Sequence, residues 1–442
     1  MIIKIQWLGN QLLNLIEHIP HLMQRKRVVS TIFLIMLFLL GTLSYPLLQD
    51  LPEIIDLELE SNNKQDTGAK NITSQSFGNW SSEHLAASTS DEGLWGVDFD
   101  DSGNAYVVGS MGSNGYVGKI SSSGTWLWNK SIQNGNTVWD VVVDSNNGAY
   151  IVGSTYSNSN PYYFGNMTMN NNGSWSSDAY VAHIDTQGNW QWVKSVGSAD
   201  NWSDASSVNI DLDGNNGLIV RGGMRGTNIS FDSIMINTSS TSDSSLFVSK
   251  LNLSSLNWDW VANGSPGTYS QIGSVSSYTN GGVIICGVAS SFGGVFGNYS
   301  GIYGSYMAII SPQGNWDYVA NLNELSRCAG IQQNSNNNLI FAGEFTSSFV
   351  HNGTTYQSSG SRDGIIGELA LPQYWYPGDS ANSAPVIESI NTMGGSSNDV
   401  VWSLELDSND RAYVIGQFSS EYLIIDNNNS LYNSNYNTTP QG

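Results

Sequence analysis

The residues best equipped for chemistry in this chain are aspartates placed two apart before glycine-rich turns. Asp98-Phe-Asp100-Asp-Ser102-Gly103 carries oxygen side chains at its first, third and fifth positions and glycine at its sixth, the opening of a calcium loop. Asp211-Leu-Asp213-Gly214-Asn215 repeats part of that pattern. The twelfth position of such a loop needs a bidentate glutamate, and Gly109 stands there instead. The expected use is a hairpin turn in which Asp bonds its own backbone, with weak calcium binding as the alternative. The histidines beyond residue 70, namely His84, His183 and His351, lie in separate stretches, so no histidine metal site is expected. A Gly-x-Ser-x-Gly elbow and a phosphate-cradling glycine loop are both absent from the sequence, and no catalytic residue is nominated.

Three Trp-x-Trp pairs (126/128, 190/192 and 258/260) have the types for a sugar-binding stripe or a quinone dock. Alternate positions on a strand share one face, so packing against a neighbouring sheet is the expected role. No cofactor is expected. Cys286 and Cys328 are the two cysteines. Two separate buried thiols are expected, and an exported setting would permit their pairing.

Charge narrows the partners. With 15 Lys+Arg against 37 Asp+Glu the net charge is −22, the opposite of the basic footprint that neutralises phosphates, so nucleic acid is excluded as a partner. Residues 28–49 carry no charge and are long enough to span a bilayer, which takes about 20 apolar residues. Arg25, Lys26 and Arg27 precede this run, and Asp50, Glu53 and Asp56 follow it, which holds the N-terminus inside and sends the rest of the chain out. Residues 1–27 have the spacing of an amphipathic segment on the inner membrane face. A signal anchor is expected over 28–49, with a cleaved signal as the alternative, and 50–75 reads as an acidic and polar tether.

The remainder, 76–442, repeats. Its clearest unit runs Trp-Asp-Val-Val-Val-Asp-Ser-Asn-Asn-Gly-Ala-Tyr-Ile-Val-Gly-Ser from Trp139, then a polar loop with Tyr163-Phe-Gly-Asn166, then Asp178-Ala-Tyr-Val-Ala-His-Ile-Asp185, then Gly188-Asn-Trp-Gln-Trp. The glycine that closes the second segment recurs as Gly109, Gly153, Gly222, Gly287, Gly343 and Gly416. The tryptophan of the fourth segment recurs as Trp80, Trp126, Trp190, Trp258, Trp316 and Trp375. Asn-Asn-Gly and related turns join the first two segments, supplying the positive φ angles of a tight hairpin. Four short strands per unit, repeated about six times, predict an all-β chain built as a β-propeller of about six four-stranded blades. The last unit stops at Pro440-Gln-Gly442, and Phe77-Gly-Asn-Trp80 has the pattern of a fourth segment. The last blade is therefore either incomplete or closed by the N-terminal strand.

Asp-x-x-Gly-Asn-Ala-Tyr-Val-x-Gly, Asp-Ala-Tyr-Val-Ala-x-Ile-Asp and Gly-Asn-Trp-x-Trp together resemble the SBBP β-propeller repeat of archaeal and bacterial cell-surface proteins. The resemblance covers roughly residues 78–430, with the fourth and fifth units degenerate. It implies an exported or surface-attached propeller and no particular activity. Acceptor sequons for N-glycosylation fit that setting: Asn71, Asn79, Asn129, Asn166, Asn172, Asn201, Asn228, Asn237, Asn252, Asn263, Asn298, Asn352, Asn428 and Asn437. The expected function is a non-catalytic binding, adhesion or surface-layer module whose partners are surface proteins or glycans. The alternative is an extracellular propeller enzyme, a glycan hydrolase or lyase.

Overall fold

The computed structural model describes residues 92–424, apart from 135–136, 156–160, 172–175, 201–202, 239–244, 267–272, 372–384 and 407–408, together with three short strands at 55–56, 73–74 and 430–432. The proposed membrane segment, the tether apart from the paired Ile55–Asp56 and Thr73–Ser74, Trp80, Trp375, His84 and the sequons at Asn71, Asn79, Asn172, Asn201, Asn428 and Asn437 lie outside the described structure. Among the described residues no helix is long and apolar enough to cross a membrane.

The chain is all-β, in successive antiparallel sheets. The first sheet pairs Glu92–Phe99, Ala105–Met111, Asn114–Ile120 and Trp126–Gln133 in chain order. The second pairs Thr137–Val143, Ala149–Ser154, Ala179–Ile184 and Trp190–Val196. The third is Asp204–Leu212, Gly217–Arg225, Ser245–Asn252 and Trp258–Ser265, and the fourth Gly273–Tyr278, Gly282–Phe296, Tyr299–Ile310 and Trp316–Asn321. The fifth is Arg327–Gln333, Leu339–Phe345, Asp363–Ala370 and Val386–Met393, and a sixth pairs Asp399–Leu406 with Ala412–Phe418. Each sheet's first strand packs on the first strand of the next, as the blades of a propeller do. The second strands of the first five sheets are apolar on both faces, so Tyr106, Val107 and Val108 are all buried.

A first strand pairs within its sheet on one side only, which leaves outward N–H groups to be satisfied. The preceding sheet supplies the acceptors. Val143 N–H donates to Asp98 Oδ2 (2.7 Å), Ile210 to Asp140 Oδ2 (3.1 Å) and Ser277 to Asp211 Oδ2 (3.0 Å). Ile331 then donates to Ser274 Oγ (3.1 Å) and Leu406 to Gln332 Oε1 (2.9 Å). Five sheet-to-sheet junctions thus carry a side-chain stitch at the same edge.

The first strands also bulge at one position. The pairing register shifts between Leu94 and Gly96, between Val138 and Asp140, between Ser207 and Asn209, between Cys328 and Gly330, and between Val401 and Ser403. The bulge pushes a first-strand carbonyl onto the recurrent glycine of the second strand. A Cβ on Gly109 would sit 1.9 Å from the Gly93 oxygen, and one on Gly222 would sit 2.0 Å from that of Ser206. At Gly153, Gly343 and Gly416 the distances to Thr137, Arg327 and Val400 oxygens are 2.3, 2.1 and 2.2 Å. In the five bulged sheets the recurrent glycine marks that close approach, whereas the fourth sheet pairs Gly287 with Gly273 in unbroken register.

In the second, third and fourth sheets the polar loop between second and third strands forms a hairpin that straps onto the outermost strand of the sheet before it. In the fifth, the hairpin of Ser348–His351 and Thr354–Gln357 pairs only with itself. Tyr162–Phe164 pairs with Met167–Met169 and extends the first sheet through Ile132 and Gln133. Ile229–Phe231 pairs with Ile234–Ile236, and Ser230 bridges Gly197 at the end of the second sheet. In the fourth sheet the strap is continuous with two long strands, and Phe296 and Val295 pair with Gly264 and Ser265 of the third. Gly394 at the end of the fifth sheet bridges Ile424 in the same way. Strap phenylalanines fill the space between sheets: Phe164 stands edge-on to Tyr180 and Trp190, Phe231 to Phe247 and Trp258, and Phe296 to Trp316.

The structure corrects the expectation of two separate thiols. Cys286 on the second strand of the fourth sheet and Cys328 on the first strand of the fifth form a disulfide, with Cα atoms 5.9 Å apart. Consecutive sheets bring the two strands face to face, a juxtaposition that their separation of 42 residues conceals.

Candidate functional site

The aspartates that opened the sequence reading are engaged by the protein itself. Asp100 Oδ1 accepts the N–H groups of Ser102 and Asn104, and its Oδ2 meets Lys119 Nζ at 2.8 Å. Asp144 accepts from Asn146 and Gly148 and meets His183 Nε2 at 2.7 Å. Asp213 accepts from Asn215 and Gly217 and meets Lys250 Nζ at 2.6 Å. Lys119, His183 and Lys250 occupy one register position on the third strand, opposite Tyr106, Tyr150 and Ile219, each of which follows its turn aspartate by six residues. Burial pushes each of these carboxyls up, but the cation or imidazole and the turn N–H groups outweigh it and hold all three below the usual aspartate range. In the fifth sheet the turn residue is Asn334, which accepts from Asn336 and Asn338, while Asn338 donates to Glu368. In the two stretches that resemble a calcium loop, a lysine ammonium stands against the carboxylate where a cation would bind. Among the described residues no group of three or more His, Cys, Asp or Glu is arranged to hold a metal.

These turns are also locked to one another. Asp101 N–H donates to Asn147 Oδ1 (2.9 Å), and the Tyr106 hydroxyl reaches the Asn147 carbonyl. Ser335 binds Asp410 in the same manner between the fifth and sixth sheets. This end of the molecule is a fixed, internally satisfied surface.

The opposite end is different. The extra residue of the first-strand bulge is tryptophan in three sheets: Trp95 in the first, Trp139 in the second and Trp402 in the sixth. Trp95 is 45% exposed and Trp402 55%, among the largest exposed apolar side chains described. Trp95 and Trp139 lie with ring centroids 5.5 Å apart, and Trp139 Nε1 donates to Ser154 Oγ (3.2 Å), which fixes its plane. The Arg327 guanidinium sits 5.0 Å over the Trp402 ring and also binds Glu344 and the Val401 carbonyl. Arg362 approaches the same buried Glu344 at 3.5 Å. The fifth sheet has the small Ala329 at the bulge, so the bulge tryptophans belong to the first, second and sixth sheets. Flat aromatic faces beside a guanidinium are suited to stacking on a sugar ring and to hydrogen bonding at its edge.

The sequence reading missed this surface because it followed the other tryptophans. Trp95, Trp139 and Trp402 each stand five residues before an aspartate of the next turn (Asp100, Asp144 and Asp407), a repeat visible in the sequence. The Trp-x-Trp pairs sit elsewhere. Trp126 stands edge-on to Tyr116, and Trp128 Nε1 donates across to the Thr186 carbonyl of the second sheet (2.9 Å). Trp260 Nε1 reaches the Pro312 carbonyl of the fourth sheet at the same distance, 2.9 Å, and Trp316 Nε1 reaches back to Asn263 of the third.

No family model matches the chain, and no curated protein matches it. Among solved structures it is similar to a catalytically inactive virginiamycin B lyase from Staphylococcus aureus crystallised with quinupristin, at 11% identity over 75% of this chain and 98% of that one, with a TM-score of 0.31. It is also similar to the Pan2 WD40 domain of Neurospora crassa (9% identity, 73% and 88% covered, TM-score 0.31). A protein of unknown function from Bacteroides caccae matches at 10% identity over 67% of this chain and 82% of that one, with a TM-score of 0.33.

Proposed function

We propose that the chain is an exported, membrane-anchored β-propeller of SBBP-type repeats, with six blades in a closed ring, that binds a neutral glycan without chemically changing it. The observation that carries the binding reading is the exposure of Trp95 and Trp402 at one register position of the first strands. In a closed ring the sixth sheet neighbours the first, so Trp402, Trp95 and Trp139 form one continuous aromatic arc. A net charge of −22 repels polyanions and favours neutral polymers or basic protein patches as partners. The hydrolase or lyase reading requires a free acid/base pair at this surface, and Glu344 is instead tied to two guanidiniums.

Titrating the protein with a panel of neutral polysaccharides should quench tryptophan fluorescence. Trp95→Ala and Trp402→Ala should each weaken binding roughly tenfold. Both rings are about half exposed, so thermal unfolding should change little. Unaltered affinity in both variants would refute the aromatic arc as the binding surface, and release of new reducing ends would favour the enzyme reading. The location is tested separately. Protease added to intact cells should remove the propeller and spare residues 1–49, whereas protection until lysis would place the repeats inside the cell.

A further inference from the structure

The sequons are unevenly placed in the fold, and the placement separates acceptors from bystanders. The turns between first and second strands carry asparagine runs (Asn146-Asn147, Asn215-Asn216, Asn336-Asn337-Asn338), yet none of them contains a sequon. Apart from Asn252, which ends the third strand Ser245–Asn252, the described sequons lie on the hairpins between second and third strands and on the fourth strands. Asn166 and Asn298 are in the two-residue turns of their straps, following Gly165 and Gly297, whose φ angles are +59° and +57°. Asn352 is in the turn of the fifth sheet's own hairpin, between Ser348–His351 and Thr354–Gln357, with its amide 2.9 Å from Nε2 of the adjacent His351 rather than held by a distant residue. All three asparagines are exposed, and so are Thr168, Ser300 and Thr354, the hydroxyl residues two positions on. Asn129 and Asn263 are exposed on outermost strands of the first and third sheets.

Three sequons are built differently: Asn252, Asn228 and Asn237, the last of which accepts the Asn228 N–H at its side-chain carbonyl (2.7 Å). Asn252 is half-buried, and its side-chain carbonyl accepts the N–H groups of Ser254 (3.0 Å) and Ser255 (3.1 Å), so its amide is part of the turn. Asn228 donates its side-chain amide to Asp200 Oδ2 at 2.8 Å.

We infer that the hairpin turns at Asn166, Asn298 and Asn352 are N-glycan acceptor sites in the folded protein, while Asn252 is not. In the transfer, the asparagine amide nitrogen bonds to C1 of a lipid-linked oligosaccharide as the C1–oxygen bond to the lipid phosphate breaks. The amide loses one proton, and the lipid phosphate leaves. An exposed hairpin turn offers the extended access that a transferase needs, whereas an asparagine folded into its own turn does not. The glycans would then stand on the hairpins and leave the inter-sheet packing and the locked turn surface untouched. Export supplies the natural setting, but the test does not depend on it.

The folded full-length chain is incubated with an oligosaccharyltransferase that accepts Asn-x-Ser/Thr and with its lipid-linked oligosaccharide, and peptide mass spectrometry reads occupancy at each site. The three hairpin asparagines should be modified, and Asn252 roughly tenfold more slowly, because its amide is released only by local opening. The same chain unfolded in urea and diluted into the assay should lose that discrimination. Failure to modify the folded hairpin sites while the unfolded chain is modified there would overturn the inference. Equal occupancy of Asn252 and the hairpin sites in the folded chain would do the same.

Discussion

Replacing Gly109 by alanine should destabilise the protein by about 3 kcal/mol or more, the upper range for forcing extra volume into a packed interior. The added methyl would lie 1.9 Å from the Gly93 carbonyl oxygen and 2.9 Å from the Leu94 Cα, both backbone atoms that cannot rotate away. Relief requires the first strand to move off the second, and that strand packs directly on the second sheet. Gly214→Ala is the control. Its φ is +73° but nothing lies within 4 Å of a Cβ there, so only the left-handed backbone penalty of about 1–2 kcal/mol applies. Urea denaturation of the two variants compares them. Equal losses would mean that backbone conformation, and not the bulge carbonyl, requires the recurrent glycine.

Lys119→Met should cost about 3–5 kcal/mol, because it strands the Asp100 carboxylate, whose side chain is 2% exposed. The same exchange at Lys194, whose partner Asp232 is substantially exposed, should cost under about 1 kcal/mol. The fifth sheet indicates the remedy. Asn334 makes the turn there without a charge, so adding Asp100→Asn to the methionine variant should recover most of the loss. Acid provides a second reading. The folded pKa values of Asp100, Asp144 and Asp213 lie below the unfolded value of about 3.9, so their contribution is fully present above that pH and is lost as pH falls through the folded values. Stability should therefore fall below about pH 4 in the native protein. The fall should be shallower in Lys119→Met, where burial no longer has a cation opposing it. Identical acid profiles would show that the clamp contributes nothing.

The sequence by itself determined the strands, their turns and their repeat. Alternating and continuous apolar runs such as Ala149-Tyr-Ile-Val152 and turn residues such as Asn147-Gly148 act over a few residues, so their conformational preferences are readable without a partner. The recurrent glycines and Trp190 were legible as a period, but their reasons were not. Gly153 is required by a carbonyl of another strand, and Trp190 rests on Phe164 of a strap that also pairs with the first sheet. Tertiary structure alone decided the rest. A bulge exists only relative to a partner strand's register, so the spacing that Trp95 and Trp402 share does not reveal that they stand exposed while Trp258 is packed. The Asp98 and Asp211 carboxylates resembled cation ligands until the next sheet's N–H groups took their oxygens, and Asp100 and Asp213 until Lys119 and Lys250 did. Cys286 and Cys328 meet because consecutive sheets stack with the first strand of one against the first and second strands of the sheet before it, a juxtaposition that no local preference encodes.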